Sequence, residues 1–279
     1  MTKSLRAILA GLLALMLSFP SHAHEIRPAV ADLHLENGSF RLETGAPLLA
    51  DVRVGVDFLG DAQAYIPSLF NEFNISDSAG TSPVEGRIGD MPAVNIAPGA
   101  EGLKVLNLFS TTSALTWNEF QKFDEFVQLH GLGWVLEEHA ARGLPETGFK
   151  EAYTRFVKSL VAVGDGAGED RYTGMFFELV AAANPYTNDV SGGMPISVMF
   201  RGVPLPNKQV DLFFRDTDGE LTRLSVMSGS NGRAIVPNLG PGEYMVNVVH
   251  MIAPFEADIE RTGVVWHSLW GSITYAIGA

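Results

Sequence analysis

The sequence predicts a mainly β protein with two immunoglobulin-like β-sandwich units and a helical insertion in the first. Short segments of alternating apolar and polar residues recur along most of the chain, separated by glycine, proline and asparagine. Between about residues 116 and 161, apolar residues recur instead every three or four positions, as on one helix face. We expect a first β domain over residues 24–171, which contains this insertion, and a second over residues 172–279.

Residues 1–23 have the three parts of a secretory signal peptide. Lys3 and Arg6 provide a positive start, and residues 7–19 form an apolar core too short to cross a bilayer comfortably. Small residues precede a cleavage site after Ala23. We therefore expect a periplasmic protein. No later segment approaches about 20 unbroken apolar residues, so the mature chain is not expected to be embedded in a membrane.

Composition limits the chemistry and the partners of this chain. Its 279 residues carry a formal net charge of −13, which argues against nucleic acid as a partner. The absence of cysteine excludes disulfide bonds, thiolate metal ligands and cysteine nucleophiles. The His-Glu-x-x-His, Gly-x-Ser-x-Gly and phosphate-loop patterns are also missing. We therefore expect a protein that is not an enzyme.

The first β domain begins with an alternating strand over residues 29–36. In this strand His34 shares a polar face with Asp32 and Glu36, so it is expected to be solvated.

Three helices are expected within the insertion. Residues 116–119 (TWNE) have the form of a capping box that starts the first helix. The second is expected over residues 132–142, and the third, with the clearest apolar face, over residues 149–161. The glycine-rich acidic stretch 164–170 then has the composition of a flexible linker.

His24 becomes the first residue of the mature chain if cleavage follows Ala23. An N-terminal histidine has a free α-amine and an imidazole in one residue, and together they can chelate a metal through a small ring. The α-amine titrates near pH ~8 in model peptides, so it is a usable ligand at neutral pH. His24 is therefore a candidate metal ligand.

His250 and His267 are the other two candidate ligands. Each shares its predicted strand face with apolar residues, so each imidazole is expected to be partly buried and to require a partner. Two such histidines in neighbouring strands would meet, and neutral imidazoles are ligands for copper, nickel, cobalt and zinc. Met251 would point to the opposite face unless the strand ends early, so core packing is its preferred role.

Trp266 and Trp270 lie four residues apart and share one face of the last predicted strand. Parallel indoles there could form a sugar-binding platform, but core packing is their preferred role. This leaves open a non-catalytic binding module for a glycan, peptide or transporter partner. A second alternative is a copper oxidase that uses two histidines and the terminal amine, which needs an open, substrate-facing metal.

Four places in the chain also resemble one family of exported proteins. They are His24-Glu25, the stretch 153–160 (YTRFVKSL), the stretch 202–205 (GVPL), and 249–251 (VHM) followed by 266–274 (WHSLWGSIT). In these features the sequence resembles the DUF4198 family, historically linked by name to the NikM component of nickel transport. Ile26-Arg27 stand where members commonly have an aromatic residue.

The resemblance implies periplasmic handling of a transition metal ion, with a membrane metal transporter as a partner. On family grounds His24 and His250 carry over better than His267. We therefore predict a periplasmic protein that binds nickel, cobalt or copper for uptake or delivery, with His24, His250 and His267 as the metal site. Glu25 or Asp32 would accept a hydrogen bond from an imidazole and so orient the ring.

Overall fold

The computed structural model describes residues 32–278. The predicted signal peptide and His24 lie outside the described residues. The strands are β1 Asp32–Asn37, β2 Arg41–Leu42, β3 Leu48–Val56, β4 Leu59–Gln63, β5 Phe70–Ser76, β6 Thr81–Pro83, β7 Val94–Ile96, β8 Gly102–Ser110, β9 Ser113–Trp117, β10 Phe149–Val163, β11 Phe177–Ala181, β12 Met194–Phe200, β13 Val203–Pro204, β14 Gln209–Asp216, β15 Leu221–Met227, β16 Arg233–Val236, β17 Gly242–Ile252 and β18 Val264–Ile277. The helices are α1 Phe120–Leu129, α2 Trp134–Ala141 and α3 Glu256–Thr262, and a 3₁₀ turn covers Pro67–Leu69.

A large sheet forms the centre of the molecule. Its strands follow the order β15-β14-β17-β18-β10-β8-β5-β6, and β2 and β9 also pair with β10. Two smaller sheets are separate from it: β1-β3-β4 with β7 added on β3, and β11-β12-β13 with β16 added on β12. Strands from both predicted β domains therefore hydrogen-bond within one sheet.

The two faces of the large sheet are covered by different layers. We call the face that carries β1, α1 and α2 the N-terminal face, and the face that carries β11 and β12 the C-terminal face. On the C-terminal face, Leu269 and Ile273 of β18 pack against Phe177 and Leu179 of β11. Each fully buried side chain of this size contributes roughly 1.5–3 kcal/mol. The predicted class, mainly β with two sandwich units and a helical insertion, is confirmed.

The N-terminal face has two apolar clusters. Under β1, Leu33 and Leu35 pack on residues of β8 and β10. Under the helices, Phe123 and Phe126 of α1 pack on Trp266 and on Trp270 of β18. Helices α1 and α2 thus lie where the sequence places the first two helices of the insertion.

The predicted helix over residues 149–161 is wrong, because this segment is strand β10. It runs parallel to β18 near the middle of the large sheet, with Tyr153 opposite Ser268. Phe156 and Leu160 are buried on one face, and Val157 and Val161 on the other. A strand at the centre of a sheet that is covered on both sides has apolar residues on both faces. The sequence of β10 therefore lacks the two-residue alternation of a half-exposed strand and resembles the apolar stripe of a helix.

The expected capping box is also wrong, since Thr116 lies in β9 and α1 begins after Glu119 without a side-chain cap.

A buried ion cluster anchors the segment predicted to be a flexible linker. The Lys158 Nζ atom of β10 lies 2.8 Å from Asp170 Oδ1 and 2.6 Å from Glu178 Oε1, and all three side chains are at most 1% exposed. Asp170 also accepts from the backbone amide of Ala181, and Glu178 from that of Thr173. The end of the acidic stretch is therefore fixed against the large sheet.

Among residues 32–278, no helix is long and apolar enough to cross a membrane.

Candidate metal site on the C-terminal face

His250 and His267 lie on adjacent antiparallel strands and point to the same face of the large sheet. In the register of β17 with β18, His250 is opposite Leu269 and His267 is opposite Ile252. Directly opposed residues share a face, so both imidazoles project from the C-terminal face as diagonal neighbours. Such neighbours are roughly 7–8 Å apart, within reach of long side chains. Strands β17 and β18 are therefore neighbours, and both histidines lie on one face of the sheet.

The His267 ring is held by hydroxyl groups on one side and has no hydrogen-bond partner on the other. Its Nε2 atom lies 2.9 Å from the Thr154 hydroxyl, which is 2.9 Å from that of Thr112. Its buried Nδ1 atom has no hydrogen-bond partner and lies 3.8 Å from Asp258 Oδ2. When Nε2–H donates to Thr154, the Nδ1 lone pair faces the carboxylate.

His250 also has an unpartnered buried nitrogen. Its Nδ1 atom makes no hydrogen bond, and its ring centroid lies 5.0 Å from that of Phe200 and 6.0 Å from that of Phe177. Burial, with a smaller effect of the Lys208 charge, lowers the pKa of His250 to about 4. Burial also lowers the pKa of His267, against the opposing effect of the Asp258 carboxylate. Both imidazoles are therefore neutral at pH 7, the state in which histidine binds metals.

Aromatic rings surround the two imidazoles. Phe255 packs edge-on against His267, with 5.5 Å between ring centroids. Phe176 connects Phe255, at 5.6 Å, with Phe200, at 5.1 Å. This arc of rings limits the access of water to the histidines. The nitrogen lone pairs of the two imidazoles therefore form few hydrogen bonds with solvent.

Asp258 was missed by the sequence reasoning. It lies in α3, a seven-residue helix between β17 and β18 that brings its carboxylate over His267. The segment has no marked helical period and follows Pro254, so only the end of a strand was expected there. Met251 is opposite Ser268 and is buried under the helices on the N-terminal face, so its sulfur lies away from the two imidazoles.

Asp32, the first described residue, lies on the N-terminal face of the large sheet, whereas His250 and His267 lie on the opposite face. Asp32 accepts a hydrogen bond from Asn247 Nδ2 at 2.7 Å, and the carbonyl of Leu33 accepts one from Ser272 on the N-terminal face. Residues 24–31 precede this point. Within residues 32–278, no three histidine, aspartate or glutamate side chains are already grouped to hold a metal.

One further prediction about a single residue is wrong, and another is confirmed. His34 is fully buried instead of solvated, because its ring packs on Phe58 with 5.0 Å between centroids. Trp266 and Trp270 are at most 3% exposed under the helices, which confirms core packing as their role. His139 is structural, since it accepts from Trp266 Nε1 at 3.0 Å and lies 3.0 Å from the Pro145 carbonyl.

The structure is a layered β protein in which His250 and His267 lie on one face of the large sheet. The chain belongs to the DUF4198 family, a domain of unknown function, whose model matches residues 32–252. This confirms the resemblance found in the sequence.

Two solved structures have some likeness to this chain. A tetra-tandem repeat from the extending region of a large adhesion protein is 14% identical, with a TM-score of 0.23, over 90% of this chain and 50% of that one. The D0-D1 domain of intimin is 13% identical, with a TM-score of 0.20, over 88% of this chain and 97% of that one. The chain thus spans half the length of the first structure. No curated protein matches the sequence.

Proposed function

We propose that this protein binds a transition metal ion in the periplasm and serves its uptake or delivery, with His250 and His267 as ligands. The observation that carries the proposal is the pair of unpartnered Nδ1 atoms on one sheet face. A buried polar atom without a partner costs roughly 1–3 kcal/mol, so such an atom requires an explanation. A bound metal ion would satisfy both nitrogens at once.

The donor set fits a borderline metal. Imidazole nitrogen suits copper, nickel, cobalt and zinc, and the absence of cysteine removes the softest ligands. Ligands about 2.1 Å from a tetrahedral metal are about 3.4 Å from each other. The 3.8 Å between His267 Nδ1 and Asp258 Oδ2 needs only a small side-chain rotation to reach this spacing. Asp258 would then be a third ligand, and Thr154 would hold the His267 tautomer.

His24 remains the proposed chelating ligand at the mature N-terminus. For His24 to join the other two histidines, the chain must pass from the N-terminal face around the end of the large sheet. Eight residues before Asp32 span at most roughly 28 Å. The contribution of His24 to metal binding can therefore be tested separately, because the positions of His250 and His267 do not depend on the position of the mature N-terminus.

Metal titration of the exported protein tests the proposal. Calorimetry with Cu(II), Ni(II), Co(II) and Zn(II) should give one stoichiometric site that weakens at least tenfold in His250→Ala and in His267→Ala. The matched control is His130→Ala, on the N-terminal face beside Trp270, which should retain the affinity. His24→Ala and a residue added before His24 then test the α-amine chelate. Binding that ignores both His250→Ala and His267→Ala would refute the assigned site.

A further inference from the structure

Strand β15 forms a free edge of the large sheet. It pairs only with β14, in a regular antiparallel register from Gln209 opposite Met227 to Arg215 opposite Leu221. No strand within residues 32–278 pairs with its outer side. Alternate backbone N–H and C=O groups of this seven-residue strand therefore point outward, as a template for another strand.

This edge lacks the features that usually prevent pairing. It has no proline, lysine or bulge, and Leu221, Leu224 and Met227 are 38%, 36% and 63% exposed. Its one charged residue, Arg223, folds back over the ring of Phe213 at 5.0 Å. By contrast, the opposite edge of the same sheet, β6, has three residues and includes Pro83. An exposed, regular apolar edge is expected to have a partner.

We propose that β15 pairs antiparallel with β15 of a second copy of this chain, about a twofold axis at Leu224. This register places Leu221 opposite Met227 and Arg223 opposite Ser225, so apolar residues meet and no like charges face each other. A twofold contact closes on itself and forms a dimer instead of a fibre.

The charges at the two ends of β15 are compatible with the same partner. The turn before the strand carries Asp216, Asp218 and Glu220, whereas residues 228–231 after it are uncharged. In the proposed register Glu220 of one copy is opposite Ser228 of the other. The acidic turn of each copy therefore meets an uncharged turn of its partner, and the acidic residues of the two copies stay at opposite ends of the paired strands.

The absence of cysteine in the chain permits a direct test by cross-linking. Leu224→Cys puts one thiol from each copy at the axis, where opposed strand residues are close enough for a disulfide. Mild oxidation should convert most of this variant to a covalent dimer. The control, Met227→Cys, is more exposed but would be opposite Leu221, so it should remain largely uncrosslinked. Equal cross-linking of the two variants would overturn the proposed register.

Sedimentation of the cysteine-free protein tests the dimer itself. We expect a concentration-dependent dimer whose dissociation constant rises at least tenfold in Leu224→Lys, where two like charges face each other. Leu59→Lys, at an exposed position of β4, should leave it unchanged, and the melting temperature of the Leu224→Lys monomer should stay near that of Leu59→Lys. A monomer at every concentration, including a monomer that binds a strand of another protein, would overturn the proposal.

Discussion

The Nδ1 atom of His267 lies 3.8 Å from Oδ2 of Asp258, too far for a hydrogen bond and close to the spacing of two ligands on one metal ion. The opposite ring nitrogen is fixed by Thr154 at 2.9 Å. One side of the imidazole is thus oriented while the other is left without a partner. This is the arrangement expected of a metal-binding histidine with an outer-shell hydrogen bond.

Replacing the Thr154 hydroxyl should weaken metal binding without removing a ligand. In Thr154→Val the Nε2 atom of His267 loses its partner, so the ring orientation is no longer fixed, and we expect a 10- to 100-fold loss of affinity. Thr154→Ser keeps the hydroxyl and should restore most of it. Calorimetric titration of both variants with the same metal provides the measurement. Equal affinities in the two variants would contradict the role assigned to the hydroxyl.

Removing the Asp258 charge should lower the affinity about tenfold or more if its carboxylate joins the metal. Asp258→Asn keeps the size of the side chain, and Glu256→Gln in the same helix is the matched control, because Glu256 is exposed. Asp258→Asn should also lower the pKa of His267 further, since this carboxylate acts to raise it. Titration by NMR of the ring protons checks this second effect without any metal.

Stability should fall as the pH rises through about 7 because of Glu151. This carboxyl is fully buried between Trp117 Nε1, at 2.8 Å, and the hydroxyl of Ser268, and burial raises its pKa from 4.5 to about 7. Because the pKa of Glu151 is higher in the folded state than in the unfolded state, its protonated form stabilises the fold. This stabilisation is fully present below pH ~4.5 and is lost above pH ~7. The shift corresponds to roughly 3 kcal/mol.

Urea unfolding of the wild type and of Glu151→Gln at pH 5 and pH 8 measures this contribution. The variant cannot ionise, so the difference in unfolding free energy between the two pH values should shift by roughly 3 kcal/mol relative to the wild type. Asp32, whose pKa burial also raises to about 7, adds a dependence of the same sign and similar size, but it is present in both proteins and cancels in this comparison. An unchanged difference in Glu151→Gln would refute the assignment.

Breaking the buried ion cluster should destabilise the protein strongly. Lys158→Met leaves the Asp170 and Glu178 carboxylates buried without their cation, which costs about 3–5 kcal/mol. The control is Lys122→Met, which breaks an exposed pair with Glu119 worth about 0–1 kcal/mol. Chemical denaturation of both variants compares the two losses, and similar small values would contradict the anchoring role of Lys158.

Local patterns predicted the class of the fold but could not separate one buried strand from a helix. A strand with one solvated face keeps its two-residue period, whereas β10 is apolar on both faces and resembles a helix stripe at Tyr153, Phe156 and Val157. The burial of His34 depends on which sheet covers β1, and this is a long-range property. The sequence therefore predicted the positions of most strands and helices more accurately than it predicted which of them pack against each other.

The sequence could predict the burial of His250 and His267 on one sheet face, because the face that a strand residue occupies follows from simple alternation along the strand. His250 shares its face with apolar neighbours, as does His267, and the pairing of the last two strands makes them diagonal neighbours. Asp258 was not accessible, since its approach depends on the short helix α3 folding back over β18. The N-terminal ligand His24 remains a prediction.

The most direct test of the central claim is to count the imidazoles on the bound metal. Pulsed EPR of the protein loaded with one equivalent of Cu(II) should detect coordinated imidazole nitrogen from His250 and His267. The signal should lose one imidazole in His250→Ala and one in His267→Ala, and it should be unchanged in His130→Ala. A spectrum without coupled imidazole nitrogen, or one that neither substitution alters, would contradict the proposed metal site.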